Sequence, residues 1–175
     1  MKKAIQFLPV SLFALCSLFL ASCKKDDSSG GSGNQSLSSG QAEVRFTYSG
    51  AQSGSFQSTT ALSHSASSGP ITTIATNVVS GITAKTVQIV FPTNIAVGTS
   101  TQASAGADLA NGFILTFGTS GGAGWGIGGG TATGFSVTVT KNTGTEMEGT
   151  FSGELGSDSD PSKVTTASGY FHCIL

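Results

Sequence analysis

Charged residues are scarce in this chain: Asp, Glu, Lys and Arg make up 10% of its 175 residues, eight basic against nine acidic. So few cations assemble no basic stripe, which argues against nucleic acid as a partner. Cysteine is nearly missing as well. Cys16, Cys23 and Cys173 are the only three, too few for a disulfide framework. The only histidines are His64, which reads as part of a Ser-rich loop, and His172, in the last expected strand. Neither has a Cys/His cluster around it, so no zinc spacing is present and no cofactor is implied. Helical patterning is also lacking. From Gln41 onward no segment carries a convincing 3.6-residue apolar period, except an Ala-containing stretch, Thr101 to Ala110, long enough for one or two turns.

What the chain does have begins at its N-terminus. Lys2 and Lys3 precede an apolar run from Ile5 to Leu20, interrupted by Pro9 and by Gln6, Ser11 and Ser17. That run is too short and too broken for a durable membrane span and reads as a signal peptide. It ends in Leu20-Ala21-Ser22-Cys23, which has the form of a bacterial lipobox. Small residues before the cut suit the peptidase, and the cysteine thiol after it accepts a diacylglycerol. The freed amine is commonly acylated too. Each buried methylene contributes about 0.8 kcal/mol, so two or three chains hold a protein stably where one does not. The expectation is a membrane partner reached through a lipid anchor at Cys23.

Lys24-Lys25-Asp26-Asp27 follows directly. A cysteine followed closely by Lys-Asp-Asp resembles the export signal of Bacteroidota surface lipoproteins. The resemblance implies an outer-membrane lipoprotein, palmitoylated or similarly acylated, that faces the cell exterior.

Once the leader with Lys2 and Lys3 is removed, six basic residues remain against nine acidic ones. With Cys23 acylated, Cys173 has no intramolecular partner. Its alternation with Phe171 and Leu175 suits a buried apolar thiol. Asp26 to Gly40 is mostly Ser and Gly with almost nothing to bury, a flexible tether. As such a coil, residues 24 to 41 span roughly 20 to 25 Å root-mean-square and about 60 Å when pulled straight. The expected organisation is therefore a signal peptide over 1–22, the lipidated cysteine and tether over 23–41, and one folded domain over 42–175.

Within that domain the apolar pattern has period two. Val44, Phe46 and Tyr48 alternate with polar neighbours, and so do Val87-Ile89-Phe91, Phe113-Leu115-Phe117, Phe135-Val137-Val139, Met147-Gly149-Phe151 and Phe171-Cys173-Leu175. Weaker candidates are Gly54 to Thr59, Ile71 to Val79 and Trp125 to Gly128. Polar clusters at Lys141 to Gly144 and Gly156 to Pro161 suit turns. The prediction is an all-β fold, a single antiparallel β-sandwich or flattened barrel of about eight or nine strands. Thr138 and Thr140 hint at a β-solenoid, but no fixed repeat period carries it through the chain.

The segment Glu148-Gly149-Thr150-Phe151-Ser152-Gly153-Glu154-Leu155, followed by a polar turn, Val164 and Gly169-Tyr170-Phe171, resembles the closing strand pair of small Bacteroidota lipoproteins of unknown function. The resemblance implies a β-sandwich and brings no site residues with it. This chain departs from it in ending on His172-Cys173-Ile174-Leu175.

Several constellations match catalytic or binding patterns by letter. Gly118-Thr119-Ser120-Gly121-Gly122 fits Gly-x-Ser-x-Gly, and Asp158 or Asp160 followed by His172 supplies the hydrolase order. That chemistry needs Ser on a strand-to-helix turn, whereas the Gly-rich stretch after Ser120 cannot make a stable helix. Gly124-x-Gly126-x-x-Gly129 fits a dinucleotide fingerprint but lacks a βαβ unit around it; glycines that permit close backbone approach are the plainer explanation. Trp125, the only tryptophan, is either an exposed platform for stacking a sugar ring or a plug in the core, the second being preferred. Glu154, Asp158 and Asp160 offer oxygens to calcium, yet without the EF-hand spacing they read by default as a solvated acidic turn.

The functional expectation is a non-enzymatic, lipid-anchored surface protein, a binding or envelope-structural module whose partners are glycans or envelope proteins. The alternatives are a small serine hydrolase using Ser120 and His172, and a glycan-binding module using Trp125.

Overall fold

The structure, a computed structural model, describes residues 36–58, 63–102, 112–120 and 122–175. The leader, Cys23, most of the tether and the helical candidate beyond Gln102 lie outside the described residues. Eleven strands follow in order. They are β1 (Ala42–Gly50), β2 (Gly54–Ser58), β3 (His64–Ser68), β4 (Ile71–Ser80), β5 (Thr83–Pro92), β6 (Gly98–Thr101), β7 (Ile114–Thr119), β8 (Gly124–Gly126), β9 (Ser136–Asn142), β10 (Glu146–Ser157) and β11 (Val164–Ile174). Every pairing is antiparallel. No α-helix occurs among the described residues. All nine segments expected from the period-two pattern form strands.

Nine strands pair along a path β2-β1-β11-β10-β8-β7-β5-β4-β3, and β9 with β6 branches off at β10. The branch arises because β10 is long enough to serve two partners on one side. Its first half, Met147 to Ser152, pairs with β9, and its end, Gly156 and Ser157, pairs with β8. The sheet thus bends at β10 into two leaves whose apolar faces meet. Phe91 and Phe113 from the β5/β7 leaf pack on Phe171 and Phe151 of β11 and β10, with centroids 5.5 to 6.3 Å apart. Phe46 meets Phe117 edge-on at 5.4 Å. Such pairs contribute about 0.5–1.5 kcal/mol each beyond burial.

The curled sheet nearly closes. His64 at the start of β3 bridges to Gln41, Ser65 N–H donates to the Gly40 carbonyl, and Ser65 Oγ donates to the Ile174 carbonyl at 2.7 Å. Ser58, Ser63 and Thr76 join β2 to β4 through mutually bonded buried hydroxyls. This is the expected all-β fold, an antiparallel sandwich or flattened barrel, with β3 and β6 added. His64 therefore belongs to a strand rather than a loop. The apolar pattern could not reveal β3 or β6 because their residues, His-Ser-Ala-Ser-Ser and Gly-Thr-Ser-Thr, bury almost no apolar side chain and are held by backbone pairing with β4 and β9.

Candidate functional site

On the outer face of β9, β10, β11 and β1, charged side chains line up across the sheet. Lys141 stands opposite Glu148, Glu148 opposite His172, and His172 opposite Glu43. Directly paired residues share a face, so these four form one row. Glu146, two residues before Glu148, joins it on the same side of β10. Inward residues alternate with them: Met147, Phe171 and Cys173 are buried in the core. The alternation that builds the core is thus what projects this cluster outward.

The geometry is close-knit. His172 Nε2 lies 3.0 Å from Glu146 Oε1 and 3.7 Å from Glu148 Oε1, and Lys141 Nζ lies 2.5 Å from Glu146 Oε2. The bond from Lys141 holds the Glu146 carboxyl below its ordinary range, against desolvation, with His172 adding to the effect. The same bond raises the Lys141 ammonium. Glu43 is different. Its side chain is 2% exposed, Arg45 Nη1 reaches Oε1 at 3.7 Å, and Oε2 has no hydrogen-bond partner. Arg45 also lies 4.8 Å above the Tyr170 ring. Among the described residues, Glu146, Glu148 and His172 form the one group of three or more potential ligands whose ligand atoms all fall within 4.8 Å of one another.

The residues singled out from sequence are placed elsewhere or apart. Ser120 is tied to the β5 side, accepting the Ala84 N–H at its Oγ and donating its own N–H to the Ala84 carbonyl. His172 stands opposite Glu148, while nine positions further along β10 Ser157 stands opposite Trp125, with Ser120 beyond that level. At about 3.3 Å per residue, roughly 30 Å of strand separates Ser120 from His172. The chain also enters β8 at Gly124 without a helix, so the strand-to-helix turn of a hydrolase nucleophile is not formed.

Trp125 is 3% exposed and belongs to the core. It plugs the junction of β7, β8 and β10 and offers no ring face to a sugar, so the platform alternative does not fit its position. Glu154, Asp158 and Asp160 do not converge. Glu154 accepts from Thr133 N–H, Asp158 from Gly124 N–H, and Asp160 from the Ser162 amide and hydroxyl, with Lys163 at 3.4 Å. Those Ser162 bonds, with Lys163 behind them, hold the Asp160 carboxyl below its usual range. These carboxylates pin turns, the plainer of the two expectations.

Sequence reading found His172 isolated because its neighbours come from strand register rather than from chain proximity. The signal was present in two pieces: Glu146 and Glu148 flank an inward Met147, and His172 sits between inward Phe171 and Cys173. Joining them requires the register of the β10–β11 pair.

No family model matches the chain, and neither a curated protein nor a solved structure does. What the geometry defines is therefore a class, an all-β domain on one curled antiparallel sheet.

Two groups near the cluster set its response to base. Burial pushes the Cys173 thiol from 9.0 up to about 12, against a backbone hydrogen bond from Met147. Burial, then the Glu148 and Glu43 carboxylates, push the Tyr170 phenol from 10.0 up to about 12. Between pH 9 and 12 the unfolded chain loses these protons and the folded one keeps them. Stability is therefore expected to fall through that window, by at most about 1.4 kcal/mol per pH unit for Cys173 and by clearly less for Tyr170, whose partial exposure lets solvent screen it. Urea unfolding at pH 8.5, 10 and 11.5 checks this, and a flat midpoint would contradict it. Cys173 in the folded protein should resist alkylation at pH 8 and react once unfolded.

Proposed function

We propose that this chain is an outer-membrane lipoprotein of the Bacteroidota surface type. Its β domain, tethered by lipid at Cys23 and held outside the cell, acts as a non-enzymatic binding or envelope-structural module. The observation that carries this reading is the succession in one N-terminus of a short apolar run, Leu20-Ala21-Ser22-Cys23, Lys24-Lys25-Asp26-Asp27 and a Ser/Gly tether that gives way to β1 at Ala42.

Gln41 leads into one end of β1, and the β4–β5 turn lies toward the other. There Lys85 donates to the Ser55 carbonyl and sits 5.7 Å from the Tyr48 ring. That turn carries Val79 and Ile82, the latter fully exposed, an apolar tip suited to a glycan-bearing or protein partner. No helix among the described residues is long and apolar enough to cross a membrane, and this reading needs none. Catalysis is left out, which the separation of Ser120 from His172 supports.

The test is protease shaving of intact cells. The domain should be removed, and replacing Asp26 and Asp27 by Ala should protect it by retaining the protein inside. Equal accessibility of both forms would refute the role given to the acidic pair, and a protected wild type would refute the surface placement.

A further inference from the structure

We propose that Glu146, Glu148 and His172 form a binding site for a divalent transition-metal ion of the zinc class. Zinc binds imidazole nitrogen and carboxylate oxygen at about 2.0–2.2 Å, which puts neighbouring ligand atoms of a tetrahedral set roughly 3.3–3.5 Å apart. His172 Nε2 stands 3.0 and 3.7 Å from the two carboxylate oxygens, on either side of that spacing. Adjustments of a few tenths of an ångström at three side chains would seat the ion. The chemistry of the donor set, one imidazole and two carboxylates, matches zinc better than magnesium, which prefers oxygen alone and keeps its waters. Three protein ligands leave a fourth position open to water or an exogenous group.

A second observation points the same way. Glu43, opposite His172 in the register, buries its carboxylate, and Oε2 finds no hydrogen-bond donor. A buried carboxylate oxygen without a partner is costly, and Arg45 lies at the edge of ion-pair distance, on the other oxygen. A divalent charge on His172 next door would supply the missing compensation. The row carries too few cations of its own: Lys141 bonds Glu146 Oε2 and leaves Oε1 facing the imidazole. Lys141 is then a competitor of the ion, and its ammonium weakens the site.

Calorimetric titration of the purified full chain with zinc chloride alone tests this. One ion per chain is expected, with magnesium giving no comparable heat. His172→Ala and Glu148→Gln should each weaken zinc binding at least tenfold, His64→Ala should leave it unchanged, and Lys141→Met should tighten it. Absence of zinc binding overturns the proposal, and so does binding that survives both ligand substitutions or disappears with His64→Ala. Glu148→Gln is isosteric and half-exposed, so it decides the matter should His172→Ala fail to fold.

Discussion

Gly156→Ala is expected to cost the domain at least about 3 kcal/mol, at the upper end of what overpacking does and a large share of the roughly 5–15 kcal/mol that holds a domain together. A Cβ at Gly156 would land on the Gly129 carbonyl group, and a Cβ at Gly129 would lie 2.6 Å from the Gly156 carbonyl oxygen. Two backbones are in contact here, so no side chain can swing away to relieve the clash. The contact sits where β10 hands its pairing from β9 to β8, the bend that turns one sheet into two facing leaves. Displacing it disturbs Trp125, opposite Ser157, and through it Phe117. Thermal unfolding should show a midpoint lowered by roughly 10 °C or more. Ile82→Ala, at a fully exposed turn residue, should stay within about 0.5 kcal/mol of the parent. A Gly156→Ala protein with an unchanged midpoint would contradict the close approach.

The same pair shows how far the sequence could be read. Gly124-x-Gly126-x-x-Gly129 invited a nucleotide reading, and its plainer explanation was close backbone approach. Gly126 indeed pairs with Gly156, and Gly129 abuts it. Strands with one apolar face were legible because burial imposes period two: Val44, Phe46 and Tyr48 all point inward, as do Val87, Ile89 and Phe91. β3 and β6 were not, because backbone hydrogen bonds leave no mark on side-chain hydrophobicity. The acidic and imidazole cluster was illegible for a related reason. Glu148 and His172 are 24 positions apart in the chain and neighbours only through the β10–β11 register. Trp125 was ambiguous in sequence, since glycine neighbours suit both a platform and a plug, and its burial favours the plug.

Cys23→Ser is expected to have the largest effect on where the protein is found. A hydroxyl in place of the thiol cannot form the thioether, so the diacylglycerol is never attached. Cleavage before residue 23, which follows lipidation in this reading, stops as well. Membrane fractions that retain the wild-type chain through high-salt and carbonate washes should lose the variant or retain it only with its leader uncut. Acyl chains on Cys23 would produce this behaviour, since each buried methylene contributes about 0.8 kcal/mol, which neither the Ser/Gly tether nor the six remaining cations would replace. Wild-type and Cys23→Ser proteins with equal membrane retention and equal size would oppose an anchor at that residue. The folded domain should be indifferent to the change, because β1 and the core both begin at Ala42. Equal unfolding midpoints for the two proteins would separate an effect on anchoring from one on folding.

Mass spectrometry of the protein extracted from membranes reads the chemistry at Cys23 directly. The expected N-terminal peptide begins at Cys23 and carries a diacylglycerol on sulfur, with a further acyl chain on the amine. A peptide beginning at Met1, or an unmodified Cys23 within a longer or differently cut chain, would contradict the lipid anchor.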